Sequence, residues 1–242
     1  MTDPGTAIVT GAGKRVGARL AAALVERGWS VVAHVRTATD AVPDGCIKAI
    51  ADLADPGCAE ALFAAADSLA PVRLLVNNAA RFVWDGFEDF DPAELDFHMH
   101  VNVRAPVLLI RELARRHQGG DALVVNMLDS KLSAPNPDFL SYTLSKQALL
   151  GVTELAARAF ASKGVRVNAI SPALMLRSAG QSEANFRAMH ARNPLGRRVG
   201  PDDVIAALDY LIASEAVTGE VLTIDAGLRF EAPERDVQFL EE

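Results

Sequence analysis

Apolar and polar positions along the chain form two patterns that alternate. Short runs rich in Val, Ile and Leu contain almost no polar positions, which is typical of strands buried on both faces of a sheet. Seven such runs occur, at residues 7–10, 30–35, 47–50, 73–78, 122–127, 165–170 and 220–225. Most of them are separated by longer stretches, such as 16–28 and 148–162, whose Ala and Leu positions follow helical spacing.

This alternation predicts an α/β protein with a doubly wound, parallel, seven-stranded sheet and helices on both faces. No internal repeat or linker composition interrupts it, so we expect one domain over residues 1–242. Two segments depart from the pattern. Residues 174–200 are expected to form a mobile excursion that closes over the substrate with Phe186. Residues 228–242 form a polar, acidic tail, which we expect to be either an interface arm or frayed.

Composition and charge disfavour several classes of partner. The chain has 242 residues, a net charge of −7 and a pI near 5.3, which argue against binding to nucleic acids or anionic membranes. No apolar run approaches the roughly 18 residues of a membrane span, and the N-terminus lacks the pattern of a signal peptide. The two cysteines, Cys46 and Cys58, have no metal-ligand spacing. We therefore expect a cytoplasmic protein without a metal that acts on a small molecule.

A glycine-rich turn, TGAGKRVG, follows the first predicted strand and begins the first predicted helix. Glycines let a backbone approach a pyrophosphate, and the N-terminus of a helix offers N–H groups with a partial positive charge. Gly11, Lys14, Arg15 and Val16 are therefore candidate cofactor-binding residues, although an ordinary tight turn has similar glycines. The spacing is nearer to T-G-x-x-x-G-x-G than to G-x-G-x-x-G, with Arg15 at the middle glycine position.

The end of the second predicted strand bears on the type of dinucleotide. A site for NAD commonly has Asp or Glu there, which binds the ribose 2′-hydroxyl. Here Arg36 and Thr37 stand at that place. With the basic residues of the turn they suit a 2′-phosphate, unless they are ordinary solvated side chains. We therefore expect NADPH or NADP+. After the third predicted strand, Asp52 and Leu53 are candidates for adenine contact, although Asp52 equally suits a helix N-cap.

Tyr142 and Lys146 are four positions apart on a predicted helix and therefore share one face. A free tyrosine has a pKa of about 10, and a neighbouring ammonium group favours the phenolate and lowers that pKa. Such pairs are common on helix surfaces, but this one follows the fifth predicted strand, at the edge where sheets of this kind bind ligands. We therefore expect Tyr142 to act as a general acid or base with help from Lys146.

Taken together and in order, these motifs resemble the short-chain dehydrogenase/reductase family over nearly the whole chain. The matching pieces are TGAGKRVG, Asp52-Leu53, Asn77-Asn78-Ala79-Ala80, Asn102 in HVNVRAP, YTLSK, RVNAISPA and TGEVLTIDAGL. The resemblance implies a Rossmann-type fold and a homotetramer built on long helices such as 91–117 and 141–162. It implies that Asn78, Ala79, Pro172, Tyr142 and Lys146 also contact the cofactor.

The resemblance also implies roles in the reaction. Tyr142 would be the catalytic acid or base. Lys146 would lower the pKa of Tyr142 and hold the nicotinamide ribose. Asn102 would complete a proton relay through water.

Members of the family normally have serine thirteen residues before the tyrosine, whereas this chain has Asp129 there. Aspartate at this place resembles the pteridine reductase subgroup, as do Arg15, the Arg-Thr pair after the second strand, and Phe82 in NNAARF. The resemblance implies a substrate site made of Arg15, Phe82, Asp129 and Tyr142, with Phe82 stacked on a flat heterocycle; a core aromatic is the alternative for Phe82. A carboxyl group accepts from ring N–H and amino groups and donates when protonated, which suits a pterin better than a ketone.

Three functions are compatible with this sequence. The first is NADPH-dependent transfer of a hydride to a pterin-like heterocycle. The second is reduction of general carbonyl or 3-oxoacyl compounds, and the third is a non-catalytic NADPH-binding sensor. The complete set of Asn102, Tyr142 and Lys146 disfavours the sensor, and Asp129 and Phe82 favour the heterocycle over a simple carbonyl.

Overall fold

The computed structural model describes residues 4–177, 182–231, 234–236 and 239. Within them, seven strands form one parallel sheet in the order β3-β2-β1-β4-β5-β6-β7. The strands are β1 (Thr6–Val9), β2 (Ser30–Val35), β3 (Cys46–Ile50), β4 (Val72–Asn77), β5 (Ala122–Met127), β6 (Val165–Pro172) and β7 (Val221–Ile224). The predicted α/β fold with a doubly wound, seven-stranded, Rossmann-type sheet is confirmed.

Helices cover both faces of the sheet. They are α1 (Arg15–Glu26), α2 (Cys58–Ala64), α3 (Pro92–Met99), α4 (Ala105–Arg116), α5 (Leu140–Phe160), α6 (Glu183–Ala191) and α7 (Pro201–Ala213). One face packs on α1 and α7, and the other packs on α2, α4 and α5. Both layers are filled mainly by Ala, Val and Leu, which explains why the strands read as continuous apolar runs.

The strand order reverses at β1, which has β2 on one side and β4 on the other. In open parallel sheets a ligand crevice forms outside the carboxyl ends of the strands at such a reversal. The glycine-rich turn follows β1, Asn77 ends β4 and Asn78 follows it, so both motifs lie beside this crevice.

The predicted long helix over residues 91–117 is interrupted. A π-helical segment at His100–Arg104 separates α3 from α4. Such segments insert one extra residue into a helix and occur frequently at functional sites. Asn102 lies within this segment and is fully buried, so the irregularity coincides with a predicted site residue.

The segment 174–200 is more regular than expected, because it contains α6. Ser182 caps this helix, since its hydroxyl accepts a hydrogen bond from the Asn185 N–H at 2.9 Å. Phe186 is buried against His190, with ring centroids 4.4 Å apart. The closing of this excursion over a substrate stays a prediction. Part of the expected lid, residues 178–181, lies outside the described residues.

Within the described ranges, no helix combines the length and apolar character needed to cross a bilayer. The same part of the chain has no group of three or more His, Cys, Asp or Glu side chains arranged to hold a metal ion. Cys46 and Cys58 are both unpaired thiols.

Candidate active site

A crevice of about 580 Å³ lies at the strand reversal. Its lining includes nearly all of the residues predicted to bind the cofactor: Gly11, Lys14, Arg15, Val16, Arg36, Asp52, Leu53, Asn78, Ala79, Tyr142, Lys146 and Pro172. Phe82 and Asp129, which were predicted to contact the substrate, also line it. The fold therefore gathers at one edge residues that are scattered over most of the sequence.

The glycine-rich turn passes so close to neighbouring backbone that it admits no side chains at two positions. Gly11 has a φ of +65°, and a Cβ at Gly17 would lie 2.2 Å from the Gly11 carbonyl oxygen. Asn78 holds the turn from the end of β4, because its Nδ2 donates to the carbonyl oxygens of Thr10 (2.9 Å) and Gly11 (3.3 Å). The turn and the N-terminus of α1 thus form a cradle that fits the pyrophosphate of a dinucleotide.

Arg15 connects the glycine-rich turn to the excursion after β6. Its φ of 53° lies in the left-handed region that glycine favours, which agrees with a glycine at this position in the family pattern. Its guanidinium donates to the carbonyl oxygens of Leu176 (3.2 Å) and Arg177 (3.0 Å). The side chain therefore lines the crevice, but the hydrogen bonds that it makes are to the protein itself and not toward the predicted substrate position.

A carboxylate that the sequence reading missed lies beside the predicted phosphate site. Asp40 accepts hydrogen bonds from the N–H (3.0 Å) and hydroxyl (2.9 Å) of Thr37, which lower the pKa of Asp40. The charges of Lys14 and Arg36 lower that pKa further. The Thr37 hydroxyl is thus already bonded to Asp40, and the predicted site consists of two cations next to one anion. The sequence feature that could have identified this carboxylate is an acidic residue four positions after Arg36.

His34 is a second residue that the sequence reading missed. Its Nδ1 accepts from the Gly11 N–H at 3.0 Å, and its Nε2 lies 3.0 Å from the Ala51 carbonyl oxygen. These partners require a neutral ring with its proton on Nε2. Burial lowers the pKa of His34, and the opposing effects of the Ala51 carbonyl and the Asp52 charge are smaller. The sequence feature that could have identified His34 is its place inside an otherwise apolar strand.

Asp52 and Leu53 have structural partners in addition to the crevice. Asp52 Oδ1 accepts from the Ala54 N–H at 2.8 Å, which shapes the turn after β3. It does not cap α2, which begins at Cys58. Leu53 is buried in a small cluster with Cys58 and Ala105.

Asp129 and Tyr142 form a hydrogen-bonded pair. The Tyr142 hydroxyl donates to Asp129 Oδ2 at 2.9 Å, and Asp129 Oδ1 accepts from the Lys131 N–H at 2.9 Å. Burial raises the pKa of Asp129, although these hydrogen bonds oppose the shift. Burial and the adjacent Asp129 carboxylate raise the pKa of Tyr142 well above its usual value. Asp129, and not Ser130, is therefore the partner of the tyrosine, and the pair retains its protons strongly.

Lys146 is buried next to this pair. Its Nζ lies 2.6 Å from the Met127 carbonyl oxygen and 5.6 Å from the centroid of the Tyr142 ring. Burial lowers the pKa of Lys146 to about 8, although the charge of Asp129 opposes that shift. Burial and the Asp129 carboxylate raise the pKa of Tyr142, and the expected lowering of that pKa by Lys146 stays a prediction.

Asn102 holds the loop that follows β4. Its Oδ1 accepts from the Arg81 N–H at 2.7 Å, and its Nδ2 donates to the Arg81 carbonyl oxygen (3.0 Å) and to Ser145 Oγ (2.9 Å). These hydrogen bonds connect the backbone next to Phe82 with the helix that carries Tyr142. The geometry thus gives Asn102 a positioning role, whereas the predicted water relay stays a prediction.

The start of α5, the helix that carries Tyr142, depends on a residue far away in sequence. The Ser141 N–H donates to Asp85 Oδ1 at 2.9 Å, the Ser141 hydroxyl also bonds to Asp85, and the Leu140 N–H donates to the Asp85 carbonyl oxygen at 3.1 Å. Asp85 therefore caps α5 from the loop after β4. No pattern in the sequence identified this contact, because the two residues are 56 positions apart.

Phe82 belongs to an aromatic wall beside Tyr142. Its ring stacks on Phe139 with centroids 4.3 Å apart, and it meets the Tyr142 ring edge-on at 4.7 Å. Phe139 immediately precedes α5 and has a φ of 55°, a costly conformation for an aromatic residue that is typical of functional sites. One face of Phe82 is therefore occupied by protein, while 44% of the residue is exposed at the crevice.

The chain matches the family model described as Enoyl-(Acyl carrier protein) reductase over residues 11–229. This chain belongs to the short-chain dehydrogenase/reductase family. It is therefore an oxidoreductase of a family whose members use NAD(P).

Similar proteins have different named substrates. L-xylulose reductase of Mesocricetus auratus is 31% identical over 234 residues, which cover 91% of this chain and 95% of the relative. FolM alternative dihydrofolate reductase 1 from Brucella canis, solved with NADP, is 31% identical with a TM-score of 0.88, over 95% of this chain and 96% of that one. 3-ketoacyl-(acyl-carrier-protein) reductase from Brucella melitensis, solved with NADH, is 27% identical with a TM-score of 0.83, over 93% and 98%. Family membership alone therefore does not select the substrate.

Proposed function

We propose that this protein is an NADPH-dependent reductase that transfers a hydride to a pterin-like heterocycle. The observation that carries the proposal is the 2.9 Å hydrogen bond from the Tyr142 hydroxyl to Asp129, at a position where the family pattern has serine. Burial raises the pKa of Asp129, so its carboxyl group takes up a proton more readily than an exposed aspartate, and in that form it both donates and accepts hydrogen bonds. Such a group complements the ring nitrogens and amino group of a pterin, whereas a simple ketone offers only an acceptor.

The protein's own residues would supply the proton and the orientation. A bound NADPH would supply the hydride, which adds to the carbon of a ring C=N bond. Tyr142 would give its proton to the nitrogen of that bond and recover one from solvent through the Asp129 carboxyl group. Lys146 would hold the nicotinamide ribose. Burial lowers the pKa of Lys146 to about 8, so the buried ammonium holds its proton less tightly than an exposed one. A ribose hydroxyl that accepts a hydrogen bond from it would stabilise the charged form.

The preference for NADPH is part of the proposal. Lys14 and Arg36 line the crevice near the end of β2 and suit a 2′-phosphate. Asp40 would repel that phosphate, but it is bonded to Thr37. We expect NADPH to bind at least tenfold tighter than NADH, which corresponds to about 1.4 kcal/mol.

The second candidate is reduction of sugars or other small carbonyl compounds. The stacking of Phe82 on Phe139 is compatible with it, because a small carbonyl compound needs no ring face to stack on. The 31% identity with an L-xylulose reductase also supports it. The similarity in fold to a dihydrofolate reductase, whose named substrate contains a pterin ring, supports the first candidate.

The test is NADPH oxidation with a panel of 7,8-dihydrobiopterin, dihydrofolate, quinonoid dihydropterin, L-xylulose and a 3-oxoacyl thioester. We expect the highest kcat/KM with a pterin. We expect Asp129→Ser to lower kcat/KM for the pterin at least tenfold, because the hydrogen bonds of the carboxyl group to the polar ring groups are lost. The kcat/KM for small carbonyl compounds should fall less, because these compounds lack such groups. Ser130→Ala is the matched control. Turnover of L-xylulose or the thioester without any pterin reduction would replace the proposal with the second candidate.

A further inference from the structure

Three residues of the C-terminal tail, Arg235, Asp236 and Phe239, lie beside the active site of their own chain. Arg235 makes a bidentate salt bridge with Asp138, through Nε to Oδ2 at 2.8 Å and Nη2 to Oδ1 at 2.9 Å. The Asp236 N–H donates to the same carboxylate at 2.8 Å. Burial alone would raise the pKa of Asp138, but these hydrogen bonds outweigh it and lower that pKa. The contact joins residues 97 positions apart and lies directly before Phe139 and α5.

Phe239 extends the aromatic wall described above. Its ring lies 6.0 Å from that of Phe139 at an interplanar angle of 21°, and 6.5 Å from the Trp84 ring at 77°. Phe139 in turn stacks on Phe82. A continuous series of rings therefore runs from the tail to the edge of Tyr142.

Asp236 brings a second carboxylate close to the catalytic pair. It lies 3.3 Å from Lys131 Nζ, which also donates to the Asp138 carbonyl oxygen at 2.5 Å. The charge of Asp236 contributes to the raised pKa of both Asp129 and Tyr142, although burial is the main cause in each case. The tail therefore affects the site electrostatically as well as by packing.

We propose that Arg235, Asp236 and Phe239, here named the C-terminal clasp, position the aromatic wall and select flat ring substrates for this chain's own active site. Arg235 anchors the clasp on Asp138, and Phe239 supports Phe139, whose left-handed backbone and stacked ring set the place of Phe82. The preference for flat rings rests on the proposed function, but the positioning of the wall does not. We call them positioning residues because the contacts described above join them to Asp138, Lys131, Phe139 and Trp84.

Two readouts test the clasp in Arg235→Ala and Phe239→Ala. The first is KM for 7,8-dihydrobiopterin against KM for 2,3-butanedione, together with the Kd for NADPH. We expect KM for the pterin to rise roughly fivefold, which is the size of one aromatic stacking contact, while the other two constants change less than twofold. Arg235→Lys should recover part of the loss. Arg158→Ala is the matched control, because it removes an exposed ion pair on the far part of α5.

The second readout does not depend on any substrate. In a Trp29→Phe background Trp84 is the single tryptophan, and we expect Phe239→Ala to increase the quenching of its fluorescence by acrylamide because the ring beside it is lost. If the wild type reduces no pterin, the proposed function fails, and the clasp is then tested with this quenching and with the bulkiest and smallest carbonyl substrates. Unchanged quenching and unchanged KM ratios in both variants would overturn the clasp. A parallel rise in every KM and in the NADPH Kd would also overturn it, since that result indicates a general loss of structure.

Discussion

At the scale of single residues, Asp129 gives the Tyr142 hydroxyl a titratable hydrogen-bond partner. A serine hydroxyl in this position is neutral at all ordinary pH values, whereas a carboxyl group adds a titratable site 2.9 Å from the phenol. Burial raises the pKa of both groups, so we expect the first proton in the reaction to come from the pair and not from an isolated tyrosine.

We expect Tyr142→Phe to lower kcat by roughly 10²–10⁴-fold, because it removes the proton donor of the transition state. The Kd for NADPH should change less than twofold, since the cradle at the glycine-rich turn is untouched. Steady-state kinetics and a fluorescence titration measure the two quantities. Tyr210→Phe changes the other tyrosine, which is half exposed on α7, and should have no effect. Substantial activity in Tyr142→Phe would show that another group donates the proton.

Opposite effects are expected from two substitutions at the predicted phosphate site. Arg36→Ala should weaken the binding of NADPH at least tenfold and the binding of NADH only slightly, because a charge-assisted contact to phosphate commonly contributes more than 1.4 kcal/mol. Asp40→Asn should strengthen NADPH binding, since it removes an anion beside that phosphate. Isothermal titration with both dinucleotides measures the effects, with Arg19→Ala, an exposed arginine of α1, as the control. An equal loss of affinity for NADPH and NADH in Arg36→Ala would contradict the assignment of Arg36 to the 2′-phosphate.

His34 should make cofactor binding and stability sensitive to acid. Its folded pKa is lowered from the ordinary 6.5, so the unfolded chain takes up the proton first and stability is lost as the pH falls from 6.5 through the folded pKa. Protonation would also direct an N–H at the Gly11 N–H and displace the glycine-rich turn. We expect the wild type to lose melting temperature and NADPH affinity over this window, and His34→Gln to show a flatter profile in both. Identical profiles for the two proteins would exclude His34 as the cause.

At the scale of elements, the strands were predictable to within two residues at each end, because a buried parallel strand is a continuous apolar run. β2 and β5 have the predicted bounds, and β6 is longer by two residues. The π-helical segment and α6 were not foreseen, since no apolar period marks the first and the second begins at an N-cap within a charged segment. The catalytic helix α5 was foreseen, but the contacts that begin it come from other elements.

Asp85→Ala should destabilise the protein by about 1 kcal/mol and lower kcat more than NADPH affinity, because the cap on α5 holds Tyr142 in place. The control is Asp91→Ala, which removes the comparable side-chain cap of α3, where Asp91 accepts from the Ala93 N–H at 2.9 Å. Urea unfolding measures the free energy, and kinetics measure kcat. We expect similar losses of stability but loss of kcat only in Asp85→Ala. Equal loss of kcat in the two variants would mean that Asp85 acts through stability alone.

At the scale of the whole molecule, the surface of α4 and α5 has exposed apolar side chains. They are Val107, Leu144, Leu150 and Leu155, and Leu155 is 69% exposed. The two helices are those on which the family resemblance predicts a homotetramer.

A cytoplasmic location also stays a prediction, and the two unpaired cysteines agree with a reducing compartment.

We expect light scattering to give four times the chain mass of 25.7 kDa. Leu155→Glu should dissociate the assembly, because it introduces a charge into an apolar contact. Leu195→Glu changes an equally exposed leucine on the 174–200 excursion and should leave the mass unchanged. A monomeric wild type would contradict the prediction.

The sequence by itself determined the fold, the edge of the sheet where the site lies, and the Tyr142–Lys146 pair, because periodicity and local spacing record which residues share a strand, a helix face or a turn. Only the tertiary structure decided that Asp129 is bonded to Tyr142, that Asp40 lies beside the cations of the phosphate site, that Asp85 caps α5, and that the tail returns to Asp138. The last two contacts join residues 56 and 97 positions apart, respectively. Contacts of that range depend on how whole elements pack, which no local pattern records.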